Sequence, residues 1–403
     1  MRINYIKIGK NNKGGNLNMK KTKRQNGITL VALVITIIIL LILATISIQS
    51  LTNMGLFAKA QEAKEKSQNA TENQAKTLNE YEDELNKYIS GDIKTPVKKV
   101  ADNIGSVLST TDNTELQDAY GNKIVVPAGF KIVLDSTTNN AQTVDKGIVI
   151  EDATTEATVG SQFVWIPVGT IYTDVEKSEA NTKTITLGRY DFDSNGKESA
   201  YSSSYIEEDK NNTSTLKNYG NTIAKNITNF KNSVVANGGY YIGRYEARTV
   251  TSRTAVDNTL TQITEKGTDE IYNYITQLQA AQLAQNMYNS NRFISDLINS
   301  YAWDTTTLFL QNCGTNKIYS RQISLNTNFD ITGTTTDVQC NVYDMASNVI
   351  EWTSETSDYS SAPCVNRGGR YDQNNYYTNI RSGDSTSYKN NIIGFRPILY
   401  LKV

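Results

Sequence analysis

The side chains available for chemistry in this 403-residue chain are limited first by histidine, of which there is none. Without imidazole the chain lacks Ser-His-Asp and Cys-His catalysis, histidine metal sites and the two-His-one-carboxylate iron site. If the chain is an enzyme, its catalytic groups must therefore be carboxylates, lysine, tyrosine or cysteine. The cysteines, Cys313, Cys340 and Cys364, all lie in the last quarter of the chain. One disulfide could form in an oxidising compartment, and the sequence leaves all three pairings open.

A second group of polar side chains stands among apolar neighbours: Asp344, Asn348 and Glu351, followed by Trp352. Buried carboxylates need a partner, so the pattern predicts either an ion pair or a bound cation. Arginine suits partly buried carboxylates because its planar guanidinium binds both oxygens. The candidate arginine partners are Arg244, Arg367 and Arg396.

The C-terminal segment 370–391 is composed almost entirely of tyrosine and small polar or charged residues, with Ile380 as its aliphatic residue. Rigid aromatic side chains mixed with adaptable hydrogen-bonding groups are typical of recognition loops. A surface loop without a ligand is the alternative. The predicted ligand-contacting residues are Tyr371, Asn374, Tyr376, Tyr377, Asn379, Asp384 and Tyr388.

The overall charge gives no reason to expect nucleic acid as a partner, because the formal net charge is −1 and the isoelectric point is about 5.9. Short alternating runs such as Lys123–Val126 and Phe163–Pro167 predict a β-rich body from 97 to 403. The stretch 191–199 begins like a calcium loop but has Ser202 at the twelfth position, so a hairpin turn is the better interpretation. Ile271, Ile275, Leu278 and Leu283 predict one helix over 269–289.

The elements before this body predict a membrane anchor and a stalk. Residues 28–48 carry no charge, and roughly 20 apolar residues span a bilayer core. Lysines and an arginine lie just upstream, while the next charge downstream is Lys59, so the positive-inside rule places the C-terminal side outside. We therefore expect a single-pass transmembrane helix over 28–50 and an amphipathic helical stalk over 51–95. The stalk stripe is formed by Leu78, Tyr81, Leu85 and Tyr88.

The start of the apolar run resembles a type IV prepilin leader, with basic residues followed by Gly27 and then Ile28-Thr29-Leu30-Val31. The resemblance implies a leader over 1–27, cleavage by a prepilin peptidase between Gly27 and Ile28, and methylation of the new N-terminus. Ala32 stands where the family usually has glutamate, which favours a tether over a filament subunit. Lys13-Gly14-Gly15 precedes Met19 at a spacing typical of a ribosome-binding sequence, so we expect translation to begin at Met19.

Four ordered blocks in residues 163–403 resemble the formylglycine-generating-enzyme (sulfatase-modifying factor) family. They are Gly238–Ala247 (GGYYIGRYEA), Asn341–Thr353 (NVYDMASNVIEWT), Arg367-Gly-Gly369 and Gly394-Phe-Arg396. The resemblance implies an irregular C-type-lectin-like α+β domain. It also implies a Ca²⁺ ion held by Asn348 and Glu351, with a purely structural role as the alternative. Ser347 replaces the family's glycine, which would change the loop if that position needed a positive φ.

The same resemblance predicts a domain without catalysis. Aligned on Arg367-Gly-Gly369, Gln373 and Thr378 stand where the oxidising members carry their cysteine pair. We therefore expect a cell-surface binding protein of the cell membrane, with an extracellular protein or glycan as ligand. Its C-terminal segment has the composition and position of segments that retroelements diversify in C-type-lectin-like proteins. The alternatives are a formylglycine-generating-type oxidoreductase and a minor pilin with a structural head.

Overall fold

A computed structural model describes residues 30–47, 59, 63–71, 73–74, 76–78, 97–134, 142–208, 227–249, 253, 260–267, 269–324, 333 and 336–403. The predicted leader with Gly27 and Ile28 lies outside these residues, as does most of the predicted stalk. The chain divides into two units, Met1–Ile93 and Lys94–Val403.

The first unit contains helix α1, Leu30–Ser47, whose side chains are almost all aliphatic. The apolar side chains from Val31 to Leu41 are mostly exposed within this unit. Among the described residues, no helix has both the length and the apolar character needed to cross a bilayer. Residues 63–71 are also helical, and Leu78 of the predicted stalk stripe is exposed. Tyr81, Leu85 and Tyr88 lie outside the described residues.

The second unit is a mixed α+β structure made mostly of strands. Its described helices are α2 Ile227–Asn237, α3 Gln277–Met287 and α4 Ser300–Cys313. Its described strands are β1 Thr114–Gln117, β2 Lys123–Val126, β3 Phe130–Val133, β4 Val149–Asp152, β5 Gln162–Pro167, β6 Gly169–Tyr172, β7 Thr182–Ile185, β8 Tyr190–Phe192, β9 Glu198–Ala200, β10 Gly239–Gly243, β11 Arg248–Thr249, β12 Glu270–Ile271, β13 Phe293–Leu297, β14 Val338–Gln339, β15 Val342–Tyr343, β16 Ile350–Thr356, β17 Cys364–Arg367, β18 Arg381–Asp384, β19 Ile393–Phe395 and β20 Pro397–Leu401.

Two larger sheets organise this unit. The first has six antiparallel strands in the order β13-β20-β10-β5-β4-β3. The second has four strands in the order β18-β17-β16-β19, with β16 and β19 parallel. Two-stranded ladders, including β14-β15 and β8-β9, complete the described topology. Strands β16 to β19 of the second sheet carry the polar motifs identified in the sequence.

Apolar strand sequences explain where the core lies. Strand β5 reads QFVWIP, and its residues from Phe163 to Pro167 are buried. It is an interior strand of the six-stranded sheet, between β4 and β10. Trp165 packs edge to face on Tyr241 with ring centres 5.0 Å apart. The buried core runs from Val100 to Leu401. The second unit thus has a hydrophobic core of its own, and fragment 94–403 can fold without the first unit.

The structure confirms the predicted hairpin and corrects the predicted helix. Strands β8 and β9 pair around Asp193, which accepts hydrogen bonds from the Asn195 and Lys197 amides. The helix over 269–289 was predicted too long. It begins after Thr276, which forms a capping box with Gln279, whereas Ile271 belongs to β12 and pairs with β11. Tertiary pairing overrides helical spacing there, because both residues 270 and 271 gain ladder partners.

Candidate binding surface

The loop Asp344–Asn348 connects β15 to β16 and carries the polar group identified in the sequence. Asp344 (φ 65°) and Asn348 (φ 62°) adopt left-handed backbone conformations, which Asp and Asn tolerate best among residues with a side chain. Ser347 is not in that region, so a serine fits where the family has glycine. Its hydroxyl lies within hydrogen-bond distance of Asp337 and Asp344, at 3.1 and 3.2 Å. The loop is therefore compatible with this sequence.

Steric crowding explains why the last residue of the Arg367-Gly-Gly369 motif is glycine. A Cβ on Gly369 would lie 1.8 Å from the Ala346 carbonyl oxygen, which is far inside van der Waals contact. The end of β17 and the Asp344–Asn348 loop can therefore pack together only if residue 369 has no side chain. The Tyr371 amide then donates to the Asn348 carbonyl at 3.0 Å. This contact fixes where the C-terminal segment leaves the sheet.

Glu351 forms the ion pair that the sequence offered as one alternative. Arg396 donates to both carboxylate oxygens, with its Nη2 2.6 Å from Glu351 Oε1 and its Nε 3.1 Å from Oε2. Arg396 also donates to the carbonyls of Gly243 and Tyr343, so its charge is well solvated by protein groups. Burial is complete for both side chains. Of the three predicted arginine partners, Arg396 is the one that pairs with Glu351.

Asn348, the last residue of the Asp344–Asn348 loop, has a different carboxylate partner. Its amide group donates to Glu246 Oε2 at 2.8 Å, while the Val349 amide donates to Glu246 Oε1 at 3.1 Å. Burial, together with the charges of Asp344 and Glu351, raises the pKa of Glu246 well above its usual range. The sequence had not identified Glu246 as a member of this cluster. It is the glutamate of the first family-like block, and its position beside Asn348 depends on long-range contacts.

These contacts bear on the predicted calcium ion. Calcium takes six to eight oxygen ligands, and a Glu351 ligand would have to exchange Arg396 for the ion. Within the ranges that the structure covers, no three His, Cys, Asp or Glu side chains are grouped to hold a metal. The donor set around Glu351 fits an ion pair better than a calcium site. Calcium binding at Asn348 and Glu351 stays a prediction.

A second buried charge network fixes the sheet under the C-terminal segment. Arg367 of β17 donates to Asp304 of α4 at 2.6 Å, and Arg381 of β18 pairs with both Asp304 and Glu355 of β16. Arg189 also pairs with Glu355. Arg367, Asp304 and Glu355 are fully buried, and removing one member of such a buried pair typically costs about 3–5 kcal/mol. The network therefore sets the positions of β17 and β18 firmly.

Four side chains of the C-terminal segment lie close together: Arg370, Tyr376, Asp384 and Tyr388. We call these four residues the aromatic patch. The Arg370 guanidinium lies 5.2 Å from the Tyr376 ring centre and donates to both Asp372 oxygens, at 2.5 and 2.7 Å. Arg370 is close enough to influence the charges of Asp384 and Tyr388. The pKa of Tyr388 is raised by its partial burial and by the Asp384 charge.

The patch combines exposure with firm support. Tyr376 and Tyr388 are half-buried and pack against the core. The Tyr388 ring meets the buried Trp352 ring edge to face, with centres 6.1 Å apart. Asp384 accepts a hydrogen bond from Asn366 at 2.7 Å, and burial raises the pKa of its carboxyl. The rings are thus held before any ligand arrives. Arg370 was not predicted as a site residue, although its position two residues before Asp372 could have suggested an ion pair between them.

The other predicted ligand residues divide into two groups. Tyr371 accepts a hydrogen bond at its hydroxyl from the Asn391 side-chain amide at 3.5 Å, and Asn374 is exposed. Tyr377 and Asn379 instead pack against residues 319–323. Arg321 lies 3.9 Å from the Tyr377 ring centre, and the Asn379 amide donates to the Ser320 carbonyl. The structure therefore gathers Tyr376, Asp384 and Tyr388 and separates Tyr377 and Asn379 from them.

The positions aligned with the family's cysteine pair are also visible. Gln373 is exposed, whereas Thr378 is buried and donates its hydroxyl to the Tyr319 carbonyl at 2.7 Å. Two clefts, of about 550 and 510 Å³, lie elsewhere on the unit and are lined by none of the predicted ligand residues.

Comparison with known proteins adds little beyond this geometry. No family model matches the chain, and no curated protein matches it. Among solved structures it is similar to Treponema denticola variable protein 1, at 14% identity and a TM-score of 0.29, over 40% of this chain and 84% of that one. It is also similar to a protein titled CarF, at 11% identity and a TM-score of 0.32, over 59% of this chain and 100% of that one. Scores this low support no conclusion about fold family or function.

Proposed function

We propose that this chain is a membrane-anchored binding protein whose C-terminal unit presents the aromatic patch to an extracellular protein or glycan. The observation that carries the proposal is the convergence of Tyr376, Tyr388 and Asp384 on a rigid, buried support. The C-type-lectin-like classification, which rests on the sequence motifs, belongs to the same proposal.

The physical case rests on pre-organisation. A flexible side chain loses about 0.5–1.5 kcal/mol of free energy when a ligand immobilises it. Tyr388 is already held by Trp352, and Tyr376 lies under Arg370, so most of that cost is met during folding. Tyrosine then offers a large apolar face and a hydroxyl, while Asp384 and Arg370 supply charge of both signs. Patches of this composition recur in recognition surfaces.

The anchoring part of the proposal rests on the first unit. The uncharged run 28–48 with basic residues before it favours insertion with the C-terminal unit outside. The exposed aliphatic side chains of α1, from Val31 to Leu41, need an apolar environment that water does not provide. A prepilin peptidase would release the leader between Gly27 and Ile28. Mass spectrometry of the N-terminus tests this, and a mature chain that still contains residues 20–27 would contradict it.

The binding experiment uses fragment 94–403 on arrays of glycans and extracellular proteins. We expect that Tyr376→Ala and Tyr388→Ala each weaken binding to any ligand found by at least about tenfold, the usual effect of removing an aromatic anchor. The matched control is Tyr359→Ala, which makes the same chemical change at a residue that is 62% exposed and outside the patch. Equal affinity of all three variants and the parent would contradict the proposal.

Repeating the titration with EDTA tests the calcium prediction separately. Because Arg396 already occupies both Glu351 oxygens, we expect chelation to change the affinity by less than about twofold. A tenfold loss that added Ca²⁺ restores would instead support an ion at Asn348 and Glu351.

Circular dichroism of each tyrosine variant checks that the fold is retained.

A further inference from the structure

We propose that Cys313 and Cys340 form a disulfide as the chain folds outside the cytoplasm, and that Cys364 remains a free thiol. This selects one of the three pairings that the sequence leaves open. The pairing concerns the framework and not the ligand, so it goes beyond the proposed function.

The chain neighbours of the two cysteines are in contact through the Gln339 side chain. Cys313 ends α4, and the next residue, Gly314, lies so close to Gln339 that a Cβ there would be 2.3 Å from the Gln339 Oε1 atom. The Thr315 amide donates to the same oxygen at 2.7 Å. Residues 314 and 339 are thus in contact, and Cys313 and Cys340 are their immediate chain neighbours.

Both thiols also share one set of charged neighbours. Asp145, Lys146 and Lys317 each act electrostatically on Cys313 and on Cys340, and the Cys313 thiol acts on Cys340. Cys340 Sγ lies 3.5 Å from the Asp145 carbonyl oxygen. Lys317 donates to the carbonyls of Asn312 and Gly314 on either side of Cys313. The shared neighbours are consistent with the contact between residues 314 and 339.

Cys364 has a different environment. It lies on β17, where it is buried and pairs in register with Asp384 of β18. The charge that acts on its thiol is that of Asp384, and neither of the other cysteines influences it.

The Cys340 backbone adds a structural reason for the link. Cys340 (φ 44°) and Asn341 (φ 65°) are both left-handed, which asparagine tolerates and cysteine does not favour. The Cys340 carbonyl oxygen also lies so close to Gly147 that a Cβ on Gly147 would be 1.9 Å from it. A covalent bond to α4 would hold this turn in place. The hairpin β14-β15 leads directly into the Asp344–Asn348 loop, so the bond would stabilise the support of the aromatic patch.

The chemistry is ordinary thiol–disulfide exchange. One cysteine thiolate attacks a disulfide donor, such as oxidised glutathione, to form a mixed disulfide and release one glutathione thiol. The second cysteine displaces the other glutathione thiol, so the protein loses two protons and two electrons to the donor. In the finished fold, burial raises the pKa of Cys313 to about 12, which leaves little thiolate. Oxidation therefore belongs to the folding stage, when the thiols are still accessible.

The experiment refolds full-length protein and fragment 94–403 from urea in a mixture of reduced and oxidised glutathione. Exchange is stopped with acid, the remaining thiols are alkylated with N-ethylmaleimide in urea near neutral pH, and the protein is digested without reduction by trypsin and a glutamate-specific protease. Both proteases are needed because trypsin alone leaves Cys340 and Cys364 on one peptide, 322–367. Cleavage after Glu351 and Glu355 separates 322–351 from 356–367. We expect peptide 293–317 to be linked to 322–351, and peptide 356–367 to be alkylated.

Matched variants give a second readout. The melting temperature of refolded wild-type protein and of Cys364→Ser should fall by about 5 °C or more when a reductant is added. Cys313→Ser and Cys340→Ser should show no such change. Three alkylated cysteines after refolding, or a linked peptide that contains Cys364, would overturn the proposal. The peptide result uses the wild-type chain, so it decides the matter even if a variant fails to fold.

Discussion

The Glu351–Arg396 pair permits a quantitative test, because its two members differ in how they respond to losing their partner. At 2.6 Å and an effective dielectric constant of 20, their Coulomb attraction is about 6 kcal/mol. Much of this is offset by the cost of desolvating both ions, so the expected effect of removing one partner is about 3–5 kcal/mol. Glu351→Gln leaves the Arg396 guanidinium buried without its counter-ion, and arginine does not lose its proton. We expect the full cost in that variant.

Arg396→Met should behave differently because the remaining glutamate can take up a proton. Burial raises the pKa of Glu351 and Arg396 opposes this, so without Arg396 the folded-state pKa rises further above its value in the unfolded chain. The folded variant then binds more protons than the unfolded chain, so its stability falls as the pH rises above the ordinary range of glutamate. The slope is about 1.4 kcal/mol per pH unit. Relative to wild type, Arg396→Met should therefore recover stability between pH 7 and pH 5, while Glu351→Gln should not.

The assay is urea unfolding of fragment 94–403 at both pH values, with the double variant completing the cycle. The double variant removes both members of this pair, so its loss should be at least about 2 kcal/mol smaller than the sum of the single losses. Additive losses within about 0.5 kcal/mol would refute the reasoning. They would mean that the two side chains do not act as a pair.

Two further predictions concern other buried positions. Burial raises the pKa of Glu207 to about 7 from an ordinary value of 4.5, so the folded state loses about 3 kcal/mol of stability as the pH rises through that window. Glu207→Gln should remove this pH dependence, and urea unfolding between pH 4 and pH 8 measures it; an unchanged slope would refute the assignment. Gly369→Ala should destabilise fragment 94–403 by about 3 kcal/mol or prevent folding, because its Cβ would strike the Ala346 carbonyl. Gly394→Ala is the control, since its Cβ would meet the Val349 side chain at 3.0 Å and that chain can move; equal melting temperatures would count against the steric argument.

The sequence predicted the local parts of this fold well. The runs 123–126 and 163–167 form β2 and β5, and the Asn-Gly turn forms the β8-β9 hairpin, because alternation and turn chemistry act over a few residues. The helix boundary failed where a distant strand competed. Ile271 has helical spacing to Ile275, but pairing with Arg248 gives its backbone a partner more than twenty residues away in the chain. Helical periodicity carries no information about such a competitor.

The candidate surface shows the same limit at the level of side chains. The composition of 370–391 predicts a recognition segment, and that prediction treated seven of its residues as equivalent. Tyr376 and Tyr377 are adjacent, and nothing local distinguishes them. One lies beside Arg370 in the patch, whereas the other stacks on Arg321 from a segment more than fifty residues upstream. The sheet decides this, because Arg367 and Arg381 fix where β17 and β18 lie, and adjacent residues of the connecting loop then face different neighbours. Composition can therefore nominate a segment for binding, but which of its residues lie together depends on the buried charges that position the strands.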